Sequence, residues 1–159
     1  MIFVAVGTQK FQLNRLLKAI DELIDRGVLT EEVFAQTGHS DYVPRNYGHR
    51  DFLSQEEFQS YISGCDLLIT HGGVATIISS LKQDKRVVVY PRLAKFDEHV
   101  DDHQFQIAEN FSHKNLALMC REEDDLGAIL EQARTHPFSR YVSQRELVTK
   151  TIRDYLASI

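Results

Sequence analysis

Cysteine is scarce in this chain: among 159 residues only Cys65 and Cys120 occur. Each lies in or beside an apolar stretch, and neither forms a CxxC pair. They read as reduced core residues in a reducing compartment. Positive charge is also short, with 18 Lys and Arg against 23 Asp and Glu and a net charge of −5. A general nucleic-acid binder needs a basic face, so that class is excluded. No apolar run approaches the roughly 20 residues of a membrane span. Met1 runs straight into "IFVAV" without a basic leader, so no secretory signal is expected. Repeats, low-complexity segments and linkers are absent too. What remains is the length of one ordinary domain, residues 1–159, expected to be cytoplasmic, with 43% hydrophobic residues to build a core.

Short apolar runs alternate with helical patterns, which predicts a three-layer α/β/α domain around a parallel sheet. The strand candidates are Ile2–Val6, Val33–Thr37, Asp51–Leu53, Leu67–Thr70, Val87–Tyr90 and Leu116–Met119. Several are apolar at successive positions, as in a sheet covered on both faces. Leu13, Leu16, Leu17, Ile20, Leu23 and Ile24 mark one face of a first helix. Ser54 followed by Glu57 predicts a capping box and a helix running towards Gly64. Further helices are expected from Val74, over about His99 to Phe111, after the acidic run 122–125, and from about Ser139 to the end. The acidic run suits a first helical turn better than a metal site. Val148, Ile152, Tyr155, Leu156 and Ile159 give the last helix an apolar stripe, for packing on its own sheet or for docking a partner.

Six strands joined by helices predict a doubly wound, Rossmann-like sheet in the order 3-2-1-4-5-6. Its ligand crevice would lie at the carboxyl ends of strands 1 and 4. The loops there read "GTQ" and "THGG". Gly72 and Gly73 stand just before a helix start, whose free N–H groups can hold a phosphate if no side chain blocks the approach. Gly7 and Thr8 would face them across the crevice. A tight turn is the plainer reading of two glycines. No GKS or GKT follows, so this is not a Walker loop. The G-x-G-x-x-G fingerprint is missing after strand 1, which disfavours NAD, and no G-x-S-x-G elbow supports a hydrolase. His71 suits either a ligand hydrogen bond or packing at the strand end. His99 and His103 are four apart, but Val100 stands where a metalloprotease carries Glu, and no metal is expected. Asp101, Asp102, His103 and Gln104 offer mixed donors and acceptors suited to sugar hydroxyls, or a solvated helix cap.

"VGTQKFQLNRLL", "THGGVATIISSLKQDKRVVVYPR" and "EHVDDHQFQIAENF" together resemble the C-terminal, nucleotide-sugar-binding domain of family 28 glycosyltransferases. The similarity is nearest to small single-domain members. These include the catalytic half of the split dolichol-pathway N-acetylglucosaminyltransferase and subunits of bacterial capsule and exopolysaccharide galactosyltransferase pairs. The resemblance implies one half of a GT-B fold, with no tightly bound cofactor. It implies that Gly7, Thr8, Gly72, Gly73 and the backbone of Val74, Ala75 and Thr76 hold the diphosphate of a UDP-sugar. Phe52 and Leu53 would read the uracil edge, and Asp102, His103 and Gln104 the donor sugar. The general base is left among His71, His103 and a partner residue.

The same resemblance implies an inverting transfer from UDP-galactose or UDP-N-acetylglucosamine to a sugar on a polyprenyl diphosphate. A membrane-anchored partner subunit would supply the acceptor half and hold the chain at the inner membrane face. Many members carry a Glu for the ribose hydroxyls where Ser79 stands here. That departure motivates the alternative of a non-catalytic partner that keeps the fold. An epimerase sharing the domain would need a second domain in the chain.

Overall fold

Side chains along a strand point alternately to its two faces. In β1 (Ile2–Ala5), Ile2 and Val4 join one buried cluster, while Phe3 and Ala5 join another. The unbroken apolar run therefore reflects a sheet with a core on each side. The computed structural model describes residues 1–158, apart from the side chains of Gln144 and Leu147. The remaining strands are β2 (Val33–Gln36), β3 (Gly48–Arg50), β4 (Leu67–Thr70), β5 (Arg86–Val89) and β6 (Leu118–Met119). All pairings are parallel and the order is β3-β2-β1-β4-β5-β6, the doubly wound arrangement predicted above.

The helices are α1 (Asn14–Asp25), α2 (Gln55–Gly64), α3 (Val74–Leu81), α4 (His103–His113), α5 (Leu126–Thr135) and α6 (Gln144–Ser158). Leu16, Leu17 and Ile20 of α1 pack with Leu126 and Leu130 of α5 on one face of the sheet. Ile62 of α2, Ile77 and Leu81 of α3 and Ala108 of α4 cover the other. Every crossover returns on the side that buries its apolar stripe.

Several boundaries differ from expectation, and three of them have a clear local reason. The third strand is Gly48–Arg50, not Asp51–Leu53. It is an edge strand paired with Phe34, Ala35 and Gln36, and its own residues are exposed or half-buried, so apolar side chains do not mark it. The fourth helix begins at His103, because Asp97 takes a left-handed turn and Asp101 Oδ1 accepts the His103 N–H at 3.0 Å. His99 and His103 consequently do not share a helix. The acidic run lies before α5 and not in its first turn: Asp124 closes a turn on the Arg121 N–H, and Asp125 accepts from the Gly127 N–H as the cap.

The segment after Ser139 stays irregular until α6 starts at Gln144. On α6, Val148 is 57% exposed, Ile152 54%, Tyr155 66% and Leu156 59%. Arg145, Thr149 and Lys150 instead line a cleft towards the rest of the domain. The apolar face thus points outward, and packing on its own sheet does not account for it. Ile159, the fifth member of that stripe, lies outside the described residues. Among the described residues no helix is long and apolar enough to cross a membrane.

Candidate functional site

The loops after β1 and β4 meet at an open cleft of about 480 Å³. Gly7, Thr8, His71, Gly73, Val74, Ala75 and Thr76 all lie in its wall. The first bond of α3 runs from the Ile77 N–H to Gly73 O, which leaves the earlier N–H groups without helical partners. Every other helix has a first-turn N–H bonded to a side-chain oxygen. The acceptors are Gln12 for α1, Ser54 for α2, Asp101 for α4, Asp125 for α5 and Ser143 for α6. Among the described residues, α3 alone starts on a residue with no side chain and no such acceptor. Its positive end faces the cleft unsatisfied.

The three glycines have distinct physical reasons. Gly7 sits at φ +84°, where other residues are strained. A Cβ there would fall 2.6 Å from His71 Nε2. A Cβ on Gly73 would fall 2.7 Å from the same nitrogen and closer still to Cε1. The imidazole is therefore wedged between the two glycines. Gly72 is different: its Cβ would lie 2.5 Å from Gln104 Cβ, and its N–H already donates to Gln104 Oε1 at 3.1 Å. Of the two glycines in "HGG", only Gly73 borders the cleft. The expectation that both leave room for a ligand is corrected: room at Gly72 is taken by α4.

His71 is only 8% exposed, and its Nδ1 has no hydrogen-bond partner. Burial, reinforced by the charge of Arg92, pushes its pKa down to about 4. The ring is neutral at physiological pH, so it can donate or accept one hydrogen bond but carries no charge. Such a weakly basic ring is poorly suited to hold a proton taken from an acceptor hydroxyl.

Two buried polar residues, Arg92 and Glu98, fasten the cleft. Arg92 reaches from the loop after β5 to donate to Val6 O, Phe11 O, Gln12 O and Glu98 O. Burial lowers its pKa to about 10, which leaves it charged. Glu98 in turn takes both Nε and Nη2 of Arg15 at 3.0 and 2.9 Å, and the Leu93 N–H. Gln104 Oε1 accepts from Gly72 and from the Arg92 N–H at 3.2 Å, joining the loops after β4 and β5. The legible signal for Arg92 was its place in "PR" after a strand, on the rim of the crevice; its partners left no local signal.

Other expected residues fall at the edge or away. Leu53 lines the cleft, but its N–H is bonded to Gln36 Oε1 at 2.9 Å. Phe52 is half exposed beside His39, with ring centroids 5.1 Å apart. Asp102 and His103 are not in the cleft wall. Asp102 Oδ1 accepts from the Ala94 N–H, and Gln104 is a buried staple, so the expected sugar-reading group does not line the cleft in this chain. Gln9 of the "GTQ" loop lines the cleft as expected, and Gln36, Gln55 and Phe58 line it unforeseen. Ser79 is turned to Gln59, its Oγ 3.2 Å from Nε2.

A family model described as the glycosyltransferase family 28 C-terminal domain matches residues 1–158. The chain belongs to that family. No curated protein sequence matches it. This family 28 domain is similar in fold to the glycosyltransferase of kitacinnamycin, with TM-score 0.64 and 19% identity over 86% of the chain. It is also similar to the glycosyltransferase SnogD from Streptomyces nogalater, with TM-score 0.58 and 14% identity over 86%. In both cases the chain spans only 35% of the larger protein. The solution structure of ALG13 matches at TM-score 0.59 and 20% identity, over 95% of this family 28 domain and 93% of ALG13.

Proposed function

We propose that this chain is the donor-binding, catalytic subunit of an inverting UDP-sugar glycosyltransferase. The observation that carries the reading is the uncapped start of α3, which opens onto the switch-point cleft opposite Gly7 and Thr8. The N–H groups of Val74, Ala75 and Thr76 would bind the donor diphosphate. They would also stabilise the charge that grows on it as the sugar leaves, without requiring a metal for that role. Neutral His71 would add one hydrogen bond from between the glycines. The uridine would lie along Leu53 and Phe58, with base contacts through groups other than the Leu53 N–H.

The match over nearly all of ALG13, but about a third of two longer transferases, supports a split arrangement. A second, membrane-anchored chain would supply the acceptor half and hold this one at the inner membrane face. The outward apolar face of α6 would dock on it, a helix laid into a groove with anchors at Val148, Ile152 and Tyr155. The donor is UDP-galactose or UDP-N-acetylglucosamine. The acceptor is a sugar on a polyprenyl diphosphate in surface-polysaccharide synthesis. With His71 buried and weakly basic and His103 outside the cleft wall, the general base falls to a residue of the partner.

Calorimetry with UDP tests the donor site: binding is expected, and none at millimolar UDP sinks it. Ser79, bonded to Gln59 and outside the cleft wall, favours a second reading, in which the fold is kept without catalysis. Reconstitution with a Gly73→Asp chain separates the two, since undiminished transfer would mean an idle pocket.

A further inference from the structure

The donor cleft lies at the carboxyl ends of the strands. A larger cleft, of about 580 Å³, opens near the amino end of β5, between the turn that follows α3 and residues 140–153. Lys82, Arg140, Arg145, Lys150 and Arg153 all line it. Residues 140–153 hold four cations and one acidic residue, in a chain whose net charge is −5.

What these cations share, among the described residues, is a lack of side-chain partners. Arg15, Arg45, Arg50, Arg121 and Arg134 each meet a carboxylate. Arg86 and Arg92 are bonded to backbone carbonyls. Among the described residues, none of the five cations of this cleft has a side-chain ion pair or hydrogen bond. Asp84 and Glu146 also line the cleft, yet neither pairs with them. Five like charges around one space repel each other, and an anion between them turns that repulsion into attraction.

Phosphate fits this lining. Guanidinium forks bind its oxygens two at a time. Ser143 and Thr149 add hydroxyls. We propose that this second cleft binds a phosphate group, carried by a soluble phosphorylated ligand or by an anionic phospholipid headgroup. The site is separate from the donor cleft and does not depend on the transferase reading.

The test is a titration of the isotope-labelled chain with inorganic pyrophosphate at low salt, followed by amide chemical shifts. Shifts are expected at Lys82, Ser143 and Thr149. They should vanish in the Arg145→Gln, Lys150→Gln, Arg153→Gln triple variant, whose substitutions are all exposed, while any shifts at Gly73 to Thr76 persist. In parallel, the chain is sedimented with vesicles of phosphatidylcholine, with and without phosphatidylglycerol. Each cation removed should weaken binding to the anionic vesicles about fivefold. Pyrophosphate shifts alone identify a soluble ligand, and anionic-vesicle binding alone a headgroup; either supports the site. No binding in both arms, or equal binding by the triple variant, overturns it.

Discussion

If His71 is what demands glycine at position 73, removing the imidazole should remove the demand. Gly73 has φ −80° and ψ 116°, a conformation open to any residue, so Gly73→Ala costs nothing in backbone strain. Its whole cost is steric. The new Cβ would lie 2.7 Å from His71 Nε2, and the ring cannot retreat because Gly7 closes its other side at 2.6 Å by the same measure. Overpacking of this kind costs about 2 kcal/mol. In a His71→Ala background the same substitution should cost under about 0.5 kcal/mol, a coupling of about 1.5 kcal/mol between the two sites. Gly7→Ala is the internal control. Its φ of +84° adds a backbone cost of about 1–2 kcal/mol that survives the loss of the imidazole. Gly72→Ala is a second control, since its Cβ meets Gln104 and not His71. Urea unfolding of the single and double variants, with slopes compared to establish two-state behaviour, measures all of these. An equal cost for Gly73→Ala in both backgrounds would refute the reasoning.

The other expectations concern charge and polarity. Because the His71 pKa falls from 6.5 to about 4 on folding, the unfolded chain binds a proton between those values that the folded chain does not. Stability should therefore drop as pH is lowered from about 6.5 to 4, by about 3 kcal/mol in total. Urea midpoints across that range should lose this component in a His71→Gln chain, and an unchanged slope would count against it. Arg92→Leu leaves the carbonyls of Val6, Phe11, Gln12 and Glu98 without their donor, at a cost of about 4 kcal/mol. The same change should weaken UDP binding in calorimetry by loosening the loop after β1. A loss of stability below about 1 kcal/mol would mean that Arg92 does not fasten the loops.

The sheet order was legible because buried parallel strands are written as continuous apolar runs, and β1, β4 and β5 are such runs. The Ser54–Glu57 capping box was legible because both partners lie within one turn, and both of its bonds are present. The edge strand β3 was not, because Gly48, His49 and Arg50 are exposed or half-buried and leave no apolar pattern. In the candidate site, the loops and the open helix start could be placed from local pattern. The wedge of His71, the reach of Arg92 across 86 positions to Val6, and the seat of Gln104 under Gly72 could not. These are long-range contacts, and local spacing holds no record of which distant atom fills a gap. That is why Gln104 looked like a ligand residue and is a buried brace.

The donors at the start of α3 are main-chain N–H groups, and this has a consequence for how the site tolerates change. Substituting Val74 or Ala75 alters a side chain at the rim and leaves the peptide groups where the fold puts them. A Cβ at Gly72 would meet Gln104, brought from α4, and one at Gly73 would meet the ring of His71 two residues away. Vulnerability is thus concentrated where the chain must stay empty, and drift is free at the positions whose peptide groups would do the chemistry.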